Sequence, residues 1–142
     1  MTNTLAQPAG VIGPGDFSLD SASDAPIYRQ IIQQIEYGLL SGRMRRGDRL
    51  PTIRALAVAL KANPNTIARA YGELEIRGVL STQVGSGTFI STASPPAASE
   101  EARAQKVGEV LDRFMKDMRD LGVSRKELAR MVKERIKSEA IC

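Results

Sequence analysis

The order of the segments between Leu50 and Ile90 constrains the fold more than any other feature of the sequence. Two short amphipathic helices separated by a turn are predicted first, and two strand-like runs around Gly85-Ser86-Gly87 follow. This order is typical of a helix-turn-helix with a β-hairpin wing. We therefore predict a mainly α fold with a small β wing, made of an N-terminal winged helix-turn-helix and a C-terminal two-helix dimerisation hairpin.

Capping residues define the two helices of this motif. The first begins at Pro51 or Thr52, the turn spans residues 61–63, and Asn63 is the natural N-cap of a helix that opens at Pro64. Gly78 stops that helix, and wing strands are predicted over residues 79–84 and 88–91. The predicted inner faces consist of Ile53, Leu56, Ala57 and Leu60 in the first helix and Ile67, Ala70, Tyr71 and Leu74 in the second.

An apolar stripe upstream predicts a supporting helix. Ile27, Ile31, Ile35 and Leu39 recur every four residues, Asp24 is positioned to cap the helix, and residues 41–42 end it. Residues 17–20 alternate in polarity, which predicts a short edge strand. The predicted organisation is a flexible arm over 1–15, the winged helix-turn-helix domain over 16–91, a Pro-rich linker over 92–101, and the helical hairpin over 102–142.

The C-terminal segment predicts two helices with a narrow apolar seam. Its seam residues in the first helix are separated by four, three, four and three positions, as in a coiled coil. A capping box over residues 124–127 begins the second helix. About 40 residues cannot enclose a core of their own, so we expect the seam to pair with a second copy of the chain. The alternative is that the hairpin folds back on its own first domain. The predicted dimer interface consists of Val107, Leu111, Phe114, Met118, Leu121, Leu128, Met131 and Val132.

Charge is unevenly distributed along the chain. Residues 24–91 carry nine Arg and Lys against five acidic residues, whereas residues 1–23 carry two acidic residues and no base. An excess of base on the helix-turn-helix suits a phosphate-binding surface, although a solvated basic face gives the same count.

Several function classes are excluded by what the sequence lacks. It contains no histidine, and its single cysteine is Cys142, so a Cys/His metal site, a His-based triad and an internal disulfide framework are all excluded. No cofactor site is indicated. No apolar run approaches the roughly 20 residues that cross a bilayer, and no secretory signal is evident. We expect a cytoplasmic protein, and an enzyme is the poorest fit, since no segment groups a nucleophile, a base and an oxyanion donor.

The helix that opens at Pro64 has the polar residues that double-stranded DNA requires. Its first turn would enter the major groove, where Asn pairs with adenine and Thr contacts thymine. We expect Asn65, Thr66 and Arg69 to contact bases or phosphate, while for Asn63 a purely capping role is favoured. We also expect contacts from Arg49, Thr52 and Arg54, where the Thr52 hydroxyl and the Arg54 guanidinium would bind phosphate. The predicted wing contacts are Gly85, Ser86, Gly87 and Thr88.

These residues resemble a known family. The runs PIYRQIIQQI (26–35), SGRMRRGDRLPTIRALA (41–57), NPNTIARAYGELEIRGVL (63–80) and GSGTFI (85–90) are similar to the winged helix of the GntR family of bacterial transcription regulators, and the NPNT-x-x-RAY phrase is similar to its YtrA-like subfamily. The resemblance implies DNA contacts at Arg54, Asn65, Thr66 and Arg69, wing contact near Gly87, dimerisation by the C-terminal helices, and an inverted-repeat operator.

The chain departs from the family pattern at three positions. Lys61 stands at a turn position often filled by Gly, Gly72 lies inside the second helix of the motif, and Ser86 replaces a basic residue at the wing tip. The sequence identifies no effector ligand. Two other functions stay open: a non-specific architectural DNA-binding protein, and a winged-helix adaptor that binds proteins.

Overall fold

The computed structural model describes residues 10–92 and 100–139 of the chain. The chain divides into two compact units, with the boundary between Ser99 and Glu100. The first contains α1 (Ile27–Ser41), α2 (Ile53–Leu60), α3 (Pro64–Ile76), β1 (Leu80–Gln83) and β2 (Gly87–Ile90), and the second contains α4 (Glu100–Asp120) and α5 (Arg125–Ser138). This is the predicted mainly α fold with a small wing. Most of the predicted linker and residues 1–9 of the predicted arm lie outside the described residues.

The core of the first unit is aliphatic and is shared by three helices. Ile31 and Ile35 of α1 and Ile67 and Leu74 of α3 are fully buried, and Leu56 of α2 joins them. All four predicted inner residues of α3 are buried, whereas two of the four predicted in α2 are only partly buried. Close packing of these branched side chains fixes α3 against α1 and α2.

The turn between α2 and α3 has a left-handed residue. Lys61 has a φ of 54°, and it is the only non-glycine residue with a positive φ among those the structure describes. A left-handed conformation strains a side-chain-bearing residue by about 1 kcal/mol. The Lys61 amide donates to the carbonyl of Val58 and the Ala62 amide to that of Ala57, which satisfies carbonyls at the end of α2. The chain thus forms the predicted turn without glycine.

The start of the first unit differs from the sequence prediction. Ile12 belongs to the predicted arm, yet it is buried in the core and its amide donates to the Arg49 carbonyl at 2.7 Å. The buried Asp48 carboxylate accepts hydrogen bonds from the amides of Gly10 and Arg45. Residues 10–15 are therefore part of the folded unit, because an apolar side chain and two backbone amides gain partners there.

The predicted edge strand over residues 17–20 is also absent from the described fold. These residues form no strand, and their backbone pairs with glutamine side chains of α1. The Gln34 side-chain amide exchanges two hydrogen bonds with Ser18, and the Gln30 side-chain amide bonds both the amide and the carbonyl of Asp20. A primary amide has the same kinds of donor and acceptor as a peptide group. The glutamine side chains of α1 therefore make the hydrogen bonds that a neighbouring strand would have made.

The wing is a short antiparallel hairpin joined to the rest of the unit. Leu80 pairs with Ile90 at its base and Gln83 with Gly87 at its end. The first strand is shorter than predicted, and the second begins and ends one residue earlier than predicted. Arg49 forms backbone bridges to Val11 on one side and to Phe89 on the other. The wing is therefore joined by backbone pairing to the segment around Arg49, which pairs in turn with the segment around Val11.

The C-terminal unit is a helical hairpin with little interior. Gly122, with a φ of 85°, lies at the C′ position two residues after the end of α4, and the Ser124 hydroxyl accepts from the Glu127 amide to begin α5. Within this unit Leu128 is the only buried residue that the structure describes. Helix α4 begins two residues before the predicted boundary.

Two glycines inside helices provide a matched test of packing. A Cβ on Gly72 of α3 would meet nothing within 4 Å, so Gly72→Ala should raise the free energy of unfolding by about 1 kcal/mol through helix propensity. A Cβ on Gly38 of α1 would lie 2.7 Å from the Cγ and Sδ atoms of the buried Met44. We expect Gly38→Ala to be less stable than Gly72→Ala by about 1–3 kcal/mol, as measured by urea denaturation. Equal stability of the two variants would contradict this packing.

Candidate nucleic-acid interface

The outward face of α3 is polar and open. Asn63 is the N-cap, and its Oδ1 accepts the Asn65 amide at 2.8 Å, so this side chain is engaged in capping as predicted. The Asn65 side chain is exposed and makes no hydrogen bond within residues 10–92 and 100–139. Thr66 is partly exposed and follows it in the same turn. The first turn of α3 therefore presents two short polar side chains to the outside, as a groove contact requires.

Arg69 lies one turn further along α3 and contacts an aromatic ring. Its Cζ atom is 3.7 Å from the centroid of the Tyr28 ring, which belongs to the first turn of α1. Arg69 is exposed, as expected of a side chain that contacts DNA, but its pairing with Tyr28 was not predicted. The two residues are 41 positions apart, so no local pattern links them.

The start of α2 has the other predicted polar pair. Thr52 is the N-cap, and its hydroxyl oxygen accepts the Ala55 amide at 3.0 Å. The hydroxyl hydrogen is still available for donation to a phosphate. Arg54 is exposed in the first turn of this helix and forms no ion pair within the described chain. A guanidinium beside the free amides of a helix start suits an anionic oxygen.

Arg49 and the wing form a single surface. A Cβ on Gly87 would lie 3.2 Å from Nε of Arg49, so the guanidinium of Arg49 lies close to the backbone of the wing. Gly85 and Gly87 have φ angles of 84° and 123°, and Gly85 and Ser86 form the exposed tip. Thr88 is less exposed, because it lies within β2, with its hydroxyl 3.3 Å from that of Thr82. The structure thus brings Arg49 and Gly87 together, while direct DNA contact by the tip stays a prediction.

The predicted dimer residues divide into two groups. Leu128 is buried inside the hairpin itself, and Met118 and Val132 are partly covered. The remaining residues form an exposed apolar surface, with Phe114 at 39% and Leu111 at 54% exposure; the others are Val107, Leu121 and Met131. We call the exposed residues Val107, Leu111 and Phe114 of α4, together with Leu121 directly after this helix, the apolar seam.

Two further features of the described chain limit the chemistry. No group of three or more Cys, Asp or Glu side chains is arranged to hold a metal ion in the part of the chain that the structure describes. Among the same residues, no helix has the length and apolar character to cross a membrane.

Burial raises the pKa of the Tyr71 phenol well above its ordinary value. The phenol stays neutral and donates to the carbonyl of Pro51 at 2.8 Å, which ties α3 to the residue that precedes α2.

Comparison with known proteins gives consistent matches. A family model described as bacterial regulatory proteins, gntR family, matches residues 27–90. The chain is 40% identical over 111 residues to the uncharacterized HTH-type transcriptional regulator YhcF of Bacillus subtilis (strain 168), covering 78% of this chain and 90% of that protein. It is 40% identical over 116 residues to the HTH-type transcriptional repressor YtrA of the same organism, covering 82% and 88%. A solved GntR family transcriptional regulator from Listeria monocytogenes matches with a TM-score of 0.59 and 30% identity, covering 82% of this chain and 98% of that one.

The two asparagines at the start of α3 should respond differently to substitution. Because the Asn63 side chain caps the helix, Asn63→Ala should lower the free energy of unfolding by about 1 kcal/mol. The exposed Asn65 side chain caps nothing, so Asn65→Ala should change stability by less than about 0.5 kcal/mol. Chemical denaturation of both variants measures this difference. An Asn65→Ala variant as unstable as Asn63→Ala would show that Asn65 has a structural role.

Proposed function

Because the chain belongs to the GntR family of bacterial transcription regulators, whose members bind DNA, we propose that it is a repressor that binds an inverted-repeat operator as a homodimer. It is a DNA-binding transcription regulator and not an enzyme. The repressor role is supported by the name of the relative YtrA. We further propose that it acts in the cytoplasm, where a bacterial chromosome is found.

The observation that carries the proposal is the polarity of α3. Its inner face is buried between α1 and α2, so Asn65 and Arg69 point away from the core and keep their donors available. Asn offers a bidentate contact to adenine, and a guanidinium offers one to guanine or phosphate. Arg54 at the start of α2 and Arg49 on the wing supply positive charge on the elements that flank α3. In this arrangement α3 enters the major groove while its neighbours contact the backbone.

The homodimer is supported by the apolar seam of α4. Its members are separated by four, three and seven residues, which keeps them on one side of the helix. Exposure of Val107 and Phe114 beside Leu111 leaves a continuous apolar surface that water solvates poorly. A second copy presents the same surface, so a two-fold axis buries both at once. Two-fold symmetry in the protein matches an operator with two inverted half-sites.

Selection from a randomised duplex library tests the proposed function. We expect the full chain to enrich an inverted repeat whose half-sites are about one helical turn apart or a multiple of that. Similar affinity for all duplexes would instead indicate an architectural protein. A folded chain that binds no DNA at low salt would indicate a protein-binding adaptor. Transcription of a reporter placed behind the selected operator then distinguishes a repressor from an activator.

Substitutions in α2 and α3 should separate backbone contact from base contact. Arg54→Ala should weaken binding to all sequences equally and reduce the salt slope by about one, because it removes one phosphate contact. Asn65→Ala should keep the salt slope and lose about 1–3 kcal/mol of discrimination at a single base pair. Binding titrations at several salt concentrations, on the operator and on its single-base variants, measure both quantities. A change of base preference in Arg54→Ala would contradict its phosphate role.

A charge on the apolar seam should separate the copies. Leu111→Lys places an ammonium where the interface would bury it, so we expect the dimer dissociation constant to rise on the order of a hundredfold. Asp112→Lys is the matched control, because it introduces the same side chain on the next residue, away from the seam. Sedimentation equilibrium measures the dissociation constant, and operator binding should weaken in parallel. Full dimerisation of Leu111→Lys would contradict the proposed interface.

A further inference from the structure

Arg69 is held by an aromatic ring rather than by an acid. Its guanidinium carbon is 3.7 Å from the centroid of the Tyr28 ring, close enough for a stacked cation–π contact. Tyr28 is itself half-buried and packs against the core of the first unit. The ring is therefore a fixed platform, whereas the arginine resting on it is exposed. A second guanidinium, that of Arg29, lies farther from the same ring, at 5.8 Å.

Another arginine associated with α3 shows the contrast. Arg77, the C-cap of α3, pairs with Glu36 at 2.9 Å and with Glu73 at 2.5 Å. Those carboxylates occupy N–H groups of its guanidinium and offset its charge. Arg69 has no such carboxylate partner in the two described ranges. Stacking uses the flat face of a guanidinium and leaves the five N–H donors at its edge available.

A fixed guanidinium is better suited to a base edge than to a phosphate. Guanine presents two acceptors, O6 and N7, in the major groove, and a bidentate contact to both requires the guanidinium in one orientation. A phosphate accepts from many directions, so a freely moving arginine serves it well. An arginine side chain also loses much rotamer entropy when it is ordered, and a ring that orders it beforehand reduces the entropy lost on binding.

We propose that Tyr28 is a positioning residue that orients Arg69 for a bidentate contact to one guanine of each half-site. Tyr28 itself does not touch DNA in this arrangement; it acts through the guanidinium stacked on its ring. The inference rests on the proposed function, because it requires α3 to lie in the major groove. It adds a determinant of sequence preference that is contributed by the supporting helix α1.

The experiment uses the full chain and the operator duplex enriched from the randomised library. We expect Arg69→Ala to lose on the order of tenfold in discrimination at one G·C pair. Tyr28→Leu, which keeps an apolar side chain but removes the ring face, should lose on the order of fivefold at the same pair. The double variant should be no worse than Arg69→Ala alone, because Tyr28 acts only through Arg69. Additive losses, or a Tyr28→Leu loss that is equal for every sequence, would overturn the proposal.

Two control variants separate positioning from charge and from the hydroxyl group. Tyr28→Phe keeps the ring, and the Tyr28 hydroxyl makes no hydrogen bond in the described part of the chain, so this variant should discriminate like the wild type. Arg29→Ala removes a nearby positive charge without removing the stack, so it should leave the base preference unchanged. A changed preference at the same G·C pair in either variant would contradict positioning by the ring.

A measurement on the wild type covers the case in which Tyr28→Leu does not fold. A proton of the Arg69 side chain held over an aromatic face resonates upfield of its ordinary position, and nuclear magnetic resonance detects this shift in the free protein. Unshifted Arg69 resonances would overturn the inference even if operator binding is intact. A wild-type chain that enriches no sequence at all would instead contradict the proposed function, and the inference with it.

Discussion

Burial of one face of α3 between α1 and α2 is the constraint on which the rest of this molecule depends. A helix of 13 residues has a single inner stripe, and here Ile67, Ala70, Tyr71 and Leu74 occupy it completely. The Tyr71 phenol adds a directional bond to the Pro51 carbonyl, which fixes the start of α2 relative to α3. Since the stripe is fully used, the remaining positions of α3 must face outward. The polar surface of this helix is therefore a direct consequence of how its apolar side packs.

Features determined by neighbouring residues were predictable from the sequence. The cap at Asn63, the start of α2 next to Thr52 and the inner face of α3 follow from local patterns, and the structure contains them. Contacts between distant residues were not predictable in the same way. Neither the burial of Ile12 nor the stacking of Arg69 on an α1 ring leaves a periodic signal, because each depends on how the helices are arranged in space.

The glutamines of α1 show why the edge strand was predicted wrongly. Alternating polarity over residues 17–20 predicts a strand, but the structure has no strand there. The pattern cannot identify the hydrogen-bond partner, which here is the side chains of Gln30 and Gln34 in place of a second strand. In the C-terminal hairpin, similarly, the seam pattern identified apolar positions but did not distinguish Leu128, which packs internally, from exposed residues such as Phe114.

The bridges from Arg49 to Val11 and Phe89 have a mechanical consequence. A hairpin of two four-residue strands is only marginally stable when it stands alone. Here the Leu50 amide donates to the Thr88 carbonyl and the Gly47 amide to the Ile90 carbonyl. These bonds couple the wing to the segment that leads directly into α2. The wing therefore cannot shift relative to the start of α2 without breaking these backbone hydrogen bonds.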